Sequence, residues 1–589
     1  MAVSRIAGDH RFVLLLILIT AIFFRSIPVI TNTAWGFDLG IYYGIALRMI
    51  SEEELFIDYD GWGSSYQYFP VLYILSLGIS KLTGLDLLKV MVALAPVIGG
   101  LTVLLFYMIV MELTRNRRLS LMSSALLAVA PFHVYQTSHA APMTVGHLFM
   151  LSSLFLFLKF KKDKRFLPFL LLSTILLILS HHLTTYFYLI TIAGMIIWRS
   201  FKYGIGFGES SKELGYLILS SIMAFSYWRF VAKPVYYAFM RGGTGLEPHI
   251  VIIFYFLLIL VSIPITFSLR RHRIHLILSG LSERFARSCK KIFLISFFSL
   301  LAMEIYSMFF NIPATNIRMN PTAILLSIPL LLFASLSVSG LPFLSIGKGK
   351  SYIQGWLIAI GASLLYSLLT GNTTLYPERH IEYLMVPMCL PASLSIIEIC
   401  KELNLYRFVS VRKKVSTEVL VSIVLLILVV SNGVTVYPSR YSLRFQDEEI
   451  SDSCISATLW LRNHTHENDT IATDLRLSHL IWAYGMNATF DETERLWTCK
   501  DWRGCIDELE GKNRNYSRVT YILIDDVMRD FVVCLDVRKS VYMNETGYEK
   551  FLREPFELVY RNVTLDSSGN IVHWAEVYKV NWSYIATEI

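Results

Sequence analysis

Phe12-Val-Leu-Leu-Leu-Ile-Leu-Ile-Thr-Ala-Ile-Phe-Phe24, closed by Arg25 and Pro28, sets the reading of the whole chain. A helix that crosses the hydrocarbon of a bilayer needs about 20 mostly apolar residues, and 12–30 supplies them with Arg25 as the only charge. No small-residue cleavage site follows, so the segment reads as a retained first helix rather than a signal peptide. Working outward, comparable runs recur at 88–112, 119–135, 144–159, 166–181, 184–199, 214–238, 249–269, 292–311, 321–343, 352–371, 380–399 and 418–437. The expected fold class is therefore a mostly α, polytopic membrane bundle of about 13 helices. Composition agrees: 54% of the residues are hydrophobic, 17% are charged and the mean hydropathy is +0.52, against about 25% charged in soluble domains.

The net charge of +8 could suggest a nucleic-acid partner, but the distribution of the basic residues argues for topology and no nucleic acid is expected. Placing the N-terminus in the cytoplasm and alternating the spans puts Arg115-Asn116-Arg117-Arg118, Lys159 to Arg165, Arg270 to Arg273, Arg284 to Lys291 and Lys401 to Lys414 on the inside. The outer loops between helices keep only Arg48, Lys81, Arg241, Arg318 and Arg379. Basic loops are held on the cytoplasmic side during insertion. The expectation is a multi-pass cell-membrane protein whose C-terminal domain is extracytoplasmic. The candidate N-glycosylation sites Asn372, Asn463, Asn468, Asn487, Asn515, Asn544, Asn562 and Asn581 all fall on that outer side, where such acceptors are used.

Two units follow from composition: 1–437, which carries the spans, and 438–589, where the sequence turns soluble. In the latter, 452–463 and 476–485 read as helices, while Thr470 to Thr473, Val519 to Asp526, Phe556 to Tyr560 and His573 to Val580 read as strands. A small α/β domain is expected. Cys454, Cys499, Cys505 and Cys534 lie in it as disulfide candidates, with Cys499 and Cys505 a local pair among three connectivities. Asp525 and Asp526, at a strand end, read as turn acids more readily than as ligands.

The longest outer loop, 31–87, is too aromatic for a disordered linker, and long structured loops are commonly functional. From Asp38 to Ile50, apolar residues at 41, 45, 46 and 49 have helical spacing suited to a helix lying along the membrane interface. Asp38 heads it, where an N-cap is the plain alternative to a chemical role. The acidic run Glu52-Glu53-Glu54, the tripeptide Asp58-Tyr59-Asp60 and the cluster Trp62, Tyr66, Gln67, Tyr68 follow.

This order of features, from Arg25 through Gly36-Phe37-Asp38 to Phe69-Pro70-Val71-Leu72-Tyr73 and the helix pair ending at Arg115 to Arg118, resembles the GT-C class of membrane glycosyltransferases. That class includes protein O-mannosyltransferases, the aminoarabinose transferase of lipid A and single-subunit oligosaccharyltransferases. The resemblance is to archaeal-type members and covers the first quarter of the chain. It implies a polyprenyl (dolichyl) phosphate sugar donor and an extracytoplasmic protein, glycan or lipid acceptor, with inversion at the sugar. It implies Asp38 as the catalytic base and a late Arg on the donor phosphate, Arg379 or Arg318. A divalent cation, Mg or Mn, would sit on Asp58 and Asp60. His139, His181, His182, Glu304 and His380 join Trp62, Tyr66, Gln67 and Tyr68 as candidate cavity residues. For the histidines, core hydrogen bonding is the alternative.

The oligosaccharyltransferase branch carries Trp-Trp-Asp-Tyr-Gly in its outer domain, whereas this chain has Ile481-Trp-Ala-Tyr-Gly485, so transfer of a single sugar is expected over en bloc transfer of a glycan. A transporter or flippase of lipid-linked sugars is the non-enzymatic rival. Paired broken helices in two halves are not evident, and the acidic loop would lack a purpose.

Overall fold

The computed structural model describes residues 10–59, 61–205, 207–241, 250, 285, 288–310, 319–345, 349–370, 375, 377–405, 417–437, 447–490, 492–536 and 539–588. The first helix, α1 (His10–Thr31), is followed by a short strand, β1 (Ala34–Trp35), and by α2 (Leu39–Ser51) and α3 (Val71–Thr83) in the first loop. The bundle continues with α4 (Leu87–Thr114), α5 (Arg117–Ala128), α6 (Pro131–Ser138), α7 (Pro142–Phe160), α8 (Leu167–Ile178), α9 (His182–Tyr203), α10 (Phe207–Phe230) and α11 (Lys233–Arg241). Further along the chain come α12 (Cys289–Phe309), α13 (Pro321–Gly340), α14 (Ser351–Thr370), α15 (Pro377–Leu405) and α16 (Thr417–Val436).

Among the described residues, seven helices are long and apolar enough to cross a membrane, or nine if each of two bent pairs is one span. The expected number, 13, is not confirmed among the described residues. The run 166–181 gives α8, only 12 residues long, and 249–269, apart from Ile250, lies outside the described residues. The run 119–135 is not one straight helix. It breaks after Ala128 and bends by 62° into α6, because Pro131 opens the new helix and proline offers no N–H to continue the old one. The run 214–238 bends by 109° between α10 and α11.

The bundle has two chemically different ends. At one, Glu112 gathers Lys159 at 2.7 Å, Arg115 at 3.0 Å and Lys162, while Glu213 pairs with Arg199 at 2.8 Å and Lys161 at 3.5 Å. These ion pairs tie α4, α7, α9 and α10 together. Helix α7 has 19 residues, about 28 Å at 1.5 Å per residue, and leads from this clamp to the opposite end, where the chain's C-terminal part docks.

That part is α/β. It holds β2 (Glu449–Ile450), α17 (Asp452–His464), β3 (Thr470–Ala472), α18 (Leu475–Ala483), β4 (Asn487–Ala488), β5 (Val519–Asp525), β6 (Val533–Asp536), β7 (Lys539–Val541), β8 (Phe556–Leu565) and β9 (Ile571–Val580). The five-stranded sheet has the order β4-β3-β5-β9-β8, with β3 parallel to β4 and β5, and β9 antiparallel to both β5 and β8. At the carboxyl ends of β3 and β5, the fully buried Arg476 donates to Asp474 at 2.7 Å, to both oxygens of Asp525 at 2.8 and 2.7 Å, and to the carbonyl of Glu449. Asp525 also caps Met528, and Asp526 accepts from His573, so both acids are structural.

A strand pairing and a helix pairing join this domain to the first loop. Strand β1 pairs antiparallel with β2, Ala34 opposite Ile450 and Trp35 opposite Glu449. Helix α18 lies directly on α2, because Gly40 and Gly44 present no side chain there. A Cβ on Gly40 would fall 2.3 Å from the carbonyl carbon of His479, and one on Gly44 2.8 Å from Cα of Ala483. Small residues four apart permit such an approach of two helix backbones. The expected interfacial helix is thus buried over Leu39–Ala46, covered by the C-terminal domain rather than laid open along a surface.

Candidate functional site

The site starts where α1 ends. After β1, Gly36 takes a positive φ of +128°, a conformation side chains rarely adopt, and its N–H donates to the Glu448 carbonyl at 3.0 Å. The turn delivers Asp38 to the start of α2. Asp38 occupies the N-cap position, yet its side chain makes no capping bond. The carboxylate instead faces the 59–68 segment. Oδ2 accepts from the Tyr66 hydroxyl at 2.9 Å and the Tyr42 hydroxyl at 3.4 Å, and Oδ1 from the Trp62 indole at 3.2 Å. It keeps 25% of its side-chain surface open. Three neutral donors hold the carboxylate in place.

The C-terminal domain contributes the fourth neighbour. His479 in α18 donates from Nδ1 to the Phe37 carbonyl at 2.7 Å, and the same nitrogen lies 3.9 Å from Oδ1 of Asp38. Its Nε2 is buried without a partner among the described residues. Burial pushes this imidazole below its ordinary value, although Asp38 and the Phe37 carbonyl act the other way. It is therefore a neutral ring whose Nδ1 carries the hydrogen.

Arg379, in the first turn of α15, is half-buried. Its Nη1 donates to Gln136 at 2.5 Å and approaches the Met143 sulfur at 3.8 Å, and its other guanidinium nitrogens have no hydrogen-bond partner among the described residues. Tyr66 bonds Asp38 and lies within the electrostatic influence of Arg379. Burial and then Asp38 raise its phenol well above the ordinary value, and the Arg379 charge acts on the same ring in the opposite sense. The carboxylate and the guanidinium thus sit at the same end of the bundle, within electrostatic reach of one tyrosine.

The other candidates distribute around this pair. Gln67 donates to the Tyr59 carbonyl at 2.8 Å and shapes the loop, and Tyr68 packs toward Phe56 at 6.3 Å. His139 stacks on Trp35 at 4.0 Å, and both its ring nitrogens face acceptors, the Tyr135 carbonyl and Glu448, each at 2.8 Å. His181 caps α9, accepting from the Thr184 N–H at 3.3 Å, and interacts electrostatically with Arg379. His182 packs against Phe69 and Phe239. Two residues belong elsewhere: Glu304 accepts from Ser327 between α12 and α13, and the buried His380 bonds Ser363 at 2.9 Å. Asp58 is exposed and has no hydrogen-bond partner among the described residues, while Asp60, Arg318 and Asn372 lie outside them. No group of three His, Cys, Asp or Glu that could hold a metal occurs among the described residues. Asp38 is ringed by donors, so the described residues do not compose a cation site there.

The four C-terminal cysteines stand as thiols, so the pairing expected of Cys499 and Cys505 is not formed. The Cys454 thiol donates to Asp525 at 3.2 Å, Cys499 to the Gly504 carbonyl at 3.2 Å, Cys505 to the Trp502 carbonyl at 3.5 Å and Cys534 to the Asp536 carbonyl at 3.4 Å. Of the described sequon asparagines, Asn463, Asn468, Asn487, Asn515 and Asn544 are exposed, and Asn562 and Asn581 are half-buried.

Sequence reasoning missed Glu448, His479 and Glu382. Glu448 accepts from Tyr135, from His139 and, at 3.4 Å, from the Phe37 N–H. Burial alone would raise its carboxyl, but His139 and these donors hold it below the ordinary range. Glu382 binds the buried His147 one turn from Arg379. A lone His in the apolar stretch Leu475–Ala483 was the one available signal for His479.

No family model matches the sequence, and no curated protein matches it. Among solved structures, it is similar to the arabinofuranosyltransferase AftD from Mycobacteria at 12% identity and a TM-score of 0.47, over 97% of this chain and 40% of that one. The chain thus spans less than half the length of that protein.

Proposed function

We propose that the chain is a membrane glycosyltransferase that moves one sugar from a polyprenyl-phosphate donor to an acceptor hydroxyl on the side of the bilayer where the C-terminal domain docks. The observation that carries this reading is the Asp38 carboxylate. It heads a helix without capping it, is held by neutral donors, stays partly open, and shares a tyrosine with a guanidinium that has unused donors.

The reaction needs those two groups. As the acceptor oxygen attacks the anomeric carbon, its proton passes to Asp38, a general-base contribution of about 10²–10⁴-fold. The bond from the anomeric carbon to the phosphate oxygen breaks as the new glycosidic bond forms, and the phosphate leaves with the electron pair. Arg379 is placed to take that charge with its free guanidinium edge, where a fork of N–H donors fits phosphate oxygens. A single displacement with one carboxylate inverts the sugar. Tyr66, Trp62 and His479 orient the base.

The test is to reconstitute the full chain in nanodiscs, supply a panel of polyprenyl-phosphate monosaccharides with a mixed acceptor pool, and measure release of free polyprenyl phosphate. Release with at least one donor is expected. Movement of the lipid-linked sugars between leaflets of proteoliposomes, without cleavage of any, would replace this reading with a flippase.

A further inference from the structure

The sheet of the C-terminal domain points the carboxyl ends of β3, β4 and β5 at the bundle, since Asp474 and Asp525, just past β3 and at the end of β5, meet Arg476, which donates to the Glu449 carbonyl beside β1. Strands β9 and β8 run antiparallel to that direction and along it, respectively, so their connecting turn, Asp566 to Asn570, lies at the same end. Strand β5 stops opposite Ala575, whereas β9 begins at Ile571. The hairpin therefore overhangs the sheet by four residues, about 13 Å at strand rise.

The level of this overhang is fixed by two bonds. His573 Nε2 lies 3.2 Å from Glu449, and the Thr564 hydroxyl lies 2.8 Å from Ser453. Glu449 is opposite Trp35, and α1 ends at Thr31, with Ile30 still exposed beside it. The tip is thus at the height where the apolar surface of α1 ends. It carries uncovered apolar side chains of its own: Leu565, Ile571 and Val572 are 55%, 53% and 47% exposed. The turn beyond them satisfies itself, with Asp566 Oδ1 accepting from the N–H groups of Ser568 and Asn570, both at 2.8 Å.

We propose that the β8–β9 tip rests in the lipid headgroup layer, with Leu565, Ile571 and Val572 on the acyl boundary, and so pins the C-terminal domain over Asp38. Amphipathic elements bind the interface by burying apolar area there. A protein partner fits less well, because three side chains fall far short of the ~1,000 Å² that a stable interface buries. The inference rests on the reading of α1 as a membrane helix and is independent of the transferase chemistry.

Bimane attached at Ile571→Cys, in a Cys499→Ser background of the full chain reconstituted in phosphatidylcholine vesicles, tests it. Lipids carrying a nitroxide near the headgroup should quench this label at least twofold more than one at Glu557→Cys, at the far end of β8. Leu565→Cys reads the same surface if Ile571→Cys does not fold. Equal quenching at the two ends overturns the proposal. So does an unquenched, blue-shifted label together with an oxidant-driven disulfide between chains in the unlabelled Ile571→Cys variant, which would identify a second copy as the partner.

Discussion

His479 of the C-terminal domain holds the Phe37 carbonyl at 2.7 Å with the nitrogen that stands 3.9 Å from the Asp38 carboxylate in the first loop. A domain remote in sequence therefore holds the backbone just before the proposed base. Helices α2 and α18 meet through two glycines, and the positioning of Asp38 depends on that contact.

Gly40→Ala tests the contact. The added methyl would lie 2.3 Å from backbone of α18, which cannot yield as a side chain does. Overpacking of this kind costs about 1–3 kcal/mol. The variant should melt earlier, while Gly78→Ala, with open space at its Cβ, should not.

Arg379→Gln should weaken donor binding by roughly ten- to a hundredfold, the equivalent of about 1.5–3 kcal/mol for hydrogen bonds to a charged group. Arg379→Lys should recover only part of it, since an ammonium cannot fork onto two oxygens. Titration of each variant with a fluorescent polyprenyl phosphate measures this.

Acid should loosen the docked domain through two groups. Glu448 is held below the ordinary carboxylate range, so its contribution is complete above that range and is lost as pH falls through the depressed value. His479 is held below the ordinary imidazole value. The unfolded chain then takes up the proton first, and stability declines as pH drops below about 6.5. Melting temperature followed from pH 8 to pH 4 should fall accordingly, and His479→Gln should remove the upper part of the decline.

Much of the architecture was legible because lipid demands long apolar helices, and 12–30 and 88–112 became α1 and α4 nearly as read. The tail strand at 519–525 was legible from its apolar run. Asp38 was legible from its place after the first helix. His380 shows why adjacency in sequence misleads: neighbouring residues on a helix differ by about 100°, so Arg379 reaches Gln136 while His380 turns to Ser363. Glu448 and His479 gain their roles only by docking against a distant loop, and of the two only His479 carried a local signal, a lone His in an apolar stretch. The glycine pair at 40 and 44 did carry a signal for close helix approach.

Arg476→Met should cost about 3–5 kcal/mol, because it strands two buried carboxylates, Asp474 and Asp525, without their cation. Thermal unfolding of the full chain should show the loss, and Asp474→Asn combined with Asp525→Asn should restore part of it.

The most direct measurement pairs binding with turnover in Asp38→Asn. That side chain caps nothing, so the variant should fold and bind a polyprenyl-phosphate sugar with wild-type affinity while releasing polyprenyl phosphate about 10²–10⁴-fold more slowly. Release at the wild-type rate from the folded variant would contradict the assignment of Asp38 as the base.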